Sequence, residues 1–227
     1  MKLSNRLEAV ANFVPYKSVL LDIGTDHAWL PIYLCKENQI DKAYASDNKD
    51  GPLNIARNNI SVYGLSNNIT TLKSDGIKDI ELNVLNDITC VSIAGMGGIL
   101  IRDILSLDKW KDILGNKTLV LQPNSNAEDV RRQIVKMGFA IVDETIVYED
   151  GHYYEIILAK IGESDYEELD YKYGPILRRE KSPYFYDYMN KKIDDLNRIL
   201  EAIDDENSQK FQETKYKMIE ISRVIEF

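Results

Sequence analysis

The chain has 227 residues, 44% of them apolar, and a formal net charge of −9. That length holds one full α/β domain plus an appendage, and the acidic balance excludes a protein that grips nucleic acid through its overall charge. No apolar run reaches the roughly 20 residues that span a bilayer and the start MKLSNRLEAVANF lacks the apolar centre of a secretion signal, so a cytoplasmic protein without membrane contact is expected.

Strands are predicted at residues 18–22, 42–46, 68–74, 87–94, 117–122, 139–149 and 152–161, where short apolar or alternating runs end in turn residues. Helical patterns fall between the first six: residues 28–37, then 51–64 with Pro52 near its start, 98–106, and 126–138, which Ser125 or Asn126 caps and Gly138 stops. This alternation predicts a parallel sheet with helices on both faces. Only Asp150 and Gly151 separate the last two strands, a hairpin signal that makes the seventh antiparallel to the sixth.

After Gly162 the stretch ESDYEELDY is acidic and has no apolar face, which suits a linker or an exposed helix start. Met189, Ile193, Leu196, Leu200 and Ile203 then step by four and three, and Phe211, Thr214, Met218, Ile221 and Ile225 repeat the pattern after the polar break DDENSQ. Two such seams predict an antiparallel helical hairpin, with one continuous helix that pairs with a second chain as the alternative. The expected organisation is a ligand-binding domain over residues 1–162 and a linker with a helical hairpin over 163–227, with a monomer favoured. Cys35 and Cys90 read as small buried hydrophobes, and His27 and His152 are too few and too scattered for a metal site, so no metal is expected.

In a doubly wound sheet the ligand sits at the carboxyl ends of the strands. The turn LDIGTDHAW after strand one offers Gly24 followed by Thr25, Asp26 and His27, without the G-x-G-x-x-G of a dinucleotide loop, which disfavours NAD. Asp22 stands ahead of that glycine, Asp47 ends strand two where an acid can accept from both ribose hydroxyls, and Asp75 with Gly76 follows strand three where an adenine edge would lie. Three acids at three successive strand ends suit an adenosine that carries no phosphate, and S-adenosylmethionine fits that description.

The segments RLEAVANFV (6–14), LDIGTDHAWLP (21–31), SDNKDGPLNIARNNI (46–60), SDGI (74–77), AGMGG (94–98), LQPN (121–124) and EDGHYYEII (149–157) together resemble the bacterial tRNA (adenine-22) N1-methyltransferases. These are class I S-adenosylmethionine-dependent enzymes. The resemblance runs from Arg6 into the C-terminal helix pair. It implies an α/β, Rossmann-like, seven-stranded sheet with an antiparallel last strand, plus an added helical hairpin of coiled-coil type. It also implies methyl transfer to N1 of an adenine near the tRNA elbow. The cofactor site maps onto Asp22, Gly24, Asp47 with its neighbour Asn48, Asp75, Gly76, and Ala94, Gly95 and Met96.

Neutral adenine N1 carries a lone pair, so attack on a methyl sulfonium needs alignment more than a base, and the cationic product favours a nearby carboxylate. Amino-methylating relatives often carry an acid or Asn, two prolines and an aromatic after strand four. AGMGG stands there instead, which leaves the catalytic groups open. Asp26 as charge stabiliser and His27 as polar lining are the candidates, against simple helix capping. Gln122 and Asn124 could bond a base edge with Pro123 stiffening the turn, while Tyr153, between His152 and Tyr154, could stack a splayed base. Arg6 could meet phosphate or the active site. From Tyr171 to Lys192 six cations (Lys172, Arg178, Arg179, Lys181, Lys191, Lys192) face two acids, so Arg178, Arg179 and Lys181 are expected to grip tRNA. A methyltransferase acting on another RNA, a protein or a small molecule, or a non-catalytic protein that binds the cofactor, remains the alternative.

Overall fold

The computed structural model describes residues 1–113, 115 and 117–226. Seven strands, β1 (Val19–Ile23), β2 (Lys42–Asp47), β3 (Ile69–Lys73), β4 (Cys90–Gly97), β5 (Thr118–Ser125), β6 (Phe139–Glu149) and β7 (His152–Ile161), form one sheet in the order β3-β2-β1-β4-β5-β7-β6. The first five run parallel, and β7 is wedged antiparallel between β5 and β6. The hairpin expected at Asp150 and Gly151 is present, and its second strand is the one that pairs with the parallel body.

Helices α1 (Asn5–Phe13), α2 (Trp29–Lys36) and α3 (Asp50–Val62) lie with Leu20, Ala43, Ala45 and Val120 on one face of the sheet. On the other face α5 (Gly98–Leu105) and α6 (Ala127–Lys136) pack on Leu21, Ile23, Val91, Ile93, Leu119 and Leu121. Neighbouring residues of one strand thus face opposite cores, the period of two that a strand imposes. Because both faces are covered, the interior strands read as near-continuous apolar runs. A short α4 (Leu82–Asp87) precedes β4. Ser4 caps α1 by accepting from the Leu7 N–H at 3.3 Å, which lays Arg6 across the ends of β5, β6 and β7.

The segment after Gly162 is no exposed linker. It forms α7 (Glu168–Tyr173) and α8 (Pro175–Glu180), which bury Tyr173, Ile176 and Leu177. Helices of six residues are too short for an apolar period to register, so the acidic composition masks them in the sequence. Beyond them α9 (Pro183–Glu201) and α10 (Gln209–Glu226) form a hairpin, closed where Lys181 donates to the Ile225 carbonyl at 3.2 Å. The break at residues 202–208 excludes the single long helix. Ile146 of β6 joins Tyr173, Leu177, Phe185, Met189, Ile221 and Val224 in a third core, so tail and sheet share apolar contacts. Beneath it the fully buried Arg131 of α6 bridges Glu144 of β6 and Glu155 of β7, while Glu144 also accepts from the Ile176 N–H at 3.0 Å and Arg131 donates to the Tyr171 carbonyl at 3.2 Å. No helix among the described residues is long and apolar enough to cross a membrane.

Candidate active site

Asp22 is buried near the end of β1, where the Thr25 hydroxyl donates to one carboxylate oxygen at 2.7 Å and the Ser92 hydroxyl to the other at 2.6 Å. Burial pushes its pKa up to about 6; the two hydroxyls pull the other way and the charge of Asp47 adds to the rise. The N–H groups of Gly24 and Thr25 both donate to the Ser46 carbonyl, at 2.8 and 2.9 Å, tying the turn to β2. Gly24 has φ +73°, and a Cβ there would overlap the Met96 methyl, so the glycine satisfies both the turn and a close approach. Asp26 and Ala28 also adopt left-handed backbone, at φ 49° and 59°. Strain of this kind collects at functional turns. Neither Asp26 nor His27 caps α2, whose N-cap is Ala28 with no side-chain bond. Their side chains stand 3.3 Å apart, Asp26 Oδ2 to His27 Nε2, and both reach solvent.

Two cavities flank this turn. The first, of about 320 Å³, is lined by Asp47, Asn48, Asp75 and Gly76 on the polar side and by Leu100 and Ile104 on the apolar side. Asp47 accepts from the Lys49 N–H at 2.9 Å through one oxygen, and its other oxygen has no donor among the described residues. Asp75 is bound by Lys78. The second cavity, of about 290 Å³, is lined by Arg6, Asp22, Thr25, His27, Trp29, Ala94 and Gly95. Gly24, Asp26 and Met96 line both and form the saddle between them. All nine residues expected to hold the cofactor therefore fall on this one pair of cavities.

AGMGG is a break in the β4–β5 ladder, whose register shifts around Met96. Its last glycine, Gly98, starts α5 so close to β5 that a Cβ would overlap the Ser125 and Asn126 carbonyls. LQPN supplies the matching side chains. The buried Gln122 carbonyl oxygen accepts from the Gly95 N–H at 2.9 Å and from Arg6, its amide donates to Asn124 Oδ1 at 3.1 Å, and the Asn124 amide returns to the Gly95 carbonyl at 2.8 Å. Gln122 is fully enclosed, so it fixes the turn and presents no edge to a base, whereas Asn124 is exposed.

Arg6 is part of the second cavity, held by Gln122, by Glu149 at 3.8 Å and over the Tyr154 ring at 5.3 Å. Tyr153 points to the opposite face of β7, packed on Tyr148 and Tyr188 at 4.8 and 5.3 Å between ring centres. There it lines a third cavity, of about 220 Å³, together with Pro123 and Asn124. The cationic stretch is not gathered into one open patch. Arg178 is bound by Asp170, Lys172 by Glu220 at 2.9 Å, Lys181 by the Ile225 carbonyl and Lys191 by the Gly151 carbonyl at 2.7 Å. Arg179 is exposed beside Glu180. Ser92, Thr25, Glu149, Trp29 and Lys192 carry no site role in the sequence reading. Only Ser92, a lone polar residue inside the apolar run CVSIA, left a local signal.

A sheet in this order, with β7 antiparallel and an acid-lined groove across the carboxyl ends of β1 to β3, defines a class I methyltransferase. The family model for tRNA (adenine(22)-N(1))-methyltransferase matches residues 20–225. A relative of that name from Bacillus subtilis (strain 168) is 35% identical over 237 aligned residues, spanning 100% of this chain and 98% of its own. The solved structure of M. capricolum TrmK with S-adenosyl-homocysteine superposes with a TM-score of 0.88 at 33% identity, covering 100% of this chain and 99% of that one. That of Streptococcus pneumoniae Sp1610 with S-adenosyl-L-methionine gives 0.88 at 35% identity, covering 99% and 100%. The chain belongs to the tRNA (adenine(22)-N(1))-methyltransferase family.

Proposed function

We propose that this chain carries out the reaction of its family, transfer of a methyl group from S-adenosylmethionine to N1 of adenine 22 in tRNA, with the residue roles set out below. The observation that carries the reading is the saddle of Gly24, Asp26 and Met96 between two cavities. The cavity at Asp47 and Asp75 suits an adenosine: the unengaged Asp47 oxygen can accept from ribose, the Gly76 backbone can meet the base edge, and Leu100 and Ile104 can cover its faces. In the neighbouring cavity Asp22 can answer an ammonium group, and the close approach at Gly24 leaves room for a chain to pass. The cofactor supplies an electrophilic methyl on a sulfonium.

The saddle is where an incoming adenine N1 would meet that methyl. The sulfur–carbon bond breaks as the nitrogen–carbon bond forms, and the positive charge passes from sulfur to the base. Asp26, half open at the saddle, stabilises that charge and His27 orients it. Arg6, fixed by Gln122, closes the wall on the side from which RNA arrives, and Asn124 and Pro123 shape the entrance. Residues 1–162 hold the cofactor, and residues 163–227 add the face that meets tRNA. The work is placed in the cytoplasm, where tRNA is found.

Incubation with labelled S-adenosylmethionine and unmodified tRNA tests the reading. Label should enter tRNA with adenine at position 22 and fail to enter the same tRNA with guanine there. Equal labelling of the two would overturn the target assignment.

A further inference from the structure

The third cavity lies one residue from the saddle's wall. Asn124 lines it and donates to the carbonyl of Gly95, which lines the second cavity. Its remaining wall comes from Ser125 and Asn126 of the β5 turn, Tyr153 and Glu155 of β7, and Tyr188 and Lys192 of α9. Lys192 is the exception among the six tail cations. Its ammonium sits 4.1 Å from the Tyr188 ring centre and 5.8 Å from that of Tyr173, and among the described residues it has neither a hydrogen bond nor an ion pair. Burial lowers its pKa, which marks a charge poorly served by solvent.

The carboxylates around it are already engaged. Glu155 accepts from Arg131 and from the Tyr188 hydroxyl, Glu128 from Arg132, and Asp129 from Arg102. The Ser125 hydroxyl and the Asn126 amide have no partner among the described residues. A cation and two neutral donors thus converge on one polar cavity with no acceptor assigned to them, beside the point where the target base must enter.

We propose that this cavity seats a phosphodiester group of the tRNA strand next to the target nucleotide, with Lys192 as its cation and Ser125 and Asn126 as donors. This rests on the reading of tRNA as substrate. It moves the phosphate grip from the surface stretch Arg178–Lys181 to a single cation inside the cleft between sheet and tail.

The test is Lys192→Gln in the full chain, assayed with unmodified tRNA. The KM for tRNA should rise roughly tenfold, the size of one charge-assisted hydrogen bond. The slope of log KM against log salt should fall by about one, because one phosphate is no longer neutralised by the protein. Turnover at saturating tRNA and calorimetric affinity for S-adenosylmethionine should hold, and Lys192→Arg should restore most of the tRNA affinity. An unchanged KM with a lowered melting temperature would overturn the proposal and make Lys192 a counter-charge for Glu155. A loss of cofactor affinity with KM for tRNA intact would also overturn it and assign the anion to the cofactor. Asn126→Gly keeps the left-handed backbone at φ 54° and removes only the amide, so it reads the site should Lys192→Gln fail to fold. Its KM should rise about threefold, the effect of a neutral hydrogen bond, and no change there would overturn the proposal. Absence of methyl transfer by the unaltered protein would strike the reading of function instead.

Discussion

At the carboxyl ends of β1 and β2, Asp47 keeps one oxygen free and Asp22 is held by hydroxyls rather than by cations, so both acids face their cavities available to a ligand. In the tail the pattern is reversed: Lys172, Arg178, Lys181 and Lys191 each bind a carboxylate or a carbonyl of the chain, and Lys192 stands without one. A charged residue type announces a ligand only where the fold withholds a partner. Strand ends withhold partners because loops there open onto a crevice, whereas helices packed on a sheet find partners within a few ångströms.

The largest effect should come from the buried joint between the two regions. Arg131→Met leaves Glu144 and Glu155 enclosed without their cation and should destabilise the fold by about 3–5 kcal/mol. A urea unfolding midpoint equal to that of the unaltered chain would show that sheet and tail do not depend on this joint. The same joint predicts that a cut after Gly162 costs stability as well as the tail, because it strips Ile176 and Tyr171 from Glu144 and Arg131.

Asp22 gives the next effect, visible as pH dependence. Its carboxyl titrates at about 6 in the fold against 3.8 ordinarily, so the empty protein favours the protonated form. Its contribution is fully present below the ordinary value and is lost as pH rises through 6, a change on the order of 3 kcal/mol. The difference in stability between the unaltered protein and Asp22→Asn should therefore vary over that window and level off above it. Affinity for a cofactor whose ammonium needs the anion should move the other way and fall as pH drops below about 6. Calorimetry across that range checks this, and a flat affinity would remove Asp22 from the ammonium.

Asp47→Ala should weaken cofactor binding by about 1–3 kcal/mol, since a desolvated acceptor for ribose is removed. Asp26→Asn should lower turnover by about tenfold, some 1.4 kcal/mol, with cofactor affinity nearly intact, and single-turnover methylation separates the two. Smallest of all, Arg179→Gln should shift stability and tRNA affinity by no more than about 0.5 kcal/mol, because an exposed cation beside Glu180 has little to lose. A large drop in tRNA affinity there would return the grip to the surface stretch.

The parallel sheet was legible because each strand of a buried sheet is a short apolar run, and Asp-Gly marked the one antiparallel turn. The cofactor groove was legible for a related reason: Asp22, Gly24, Asp47, Asp75 and Gly76 follow strands in sequence, so position along the chain already gives position in space. Placement of Arg6, Gln122 and Gly95 in one network was not, since residues 6, 95 and 122 meet only through the stacking of α1 on β5 and the ladder of β4. Tyr153 and Tyr154 illustrate the limit at its finest, as adjacent aromatics that alternation sends to different cavities. The tail cations failed as a patch because their partners, Asp170, Glu220, Gly151 and Ile225, lie up to 48 positions away.

The division of labour between groove and tail is tested most directly by measuring two affinities on two variants, S-adenosylmethionine by calorimetry and unmodified tRNA by filter binding, for Asp47→Ala and Lys192→Gln. The account predicts a crossed result, with Asp47→Ala losing cofactor affinity and keeping tRNA, and Lys192→Gln losing tRNA and keeping cofactor. Loss of both ligands together in either variant, with the fold intact, would contradict it.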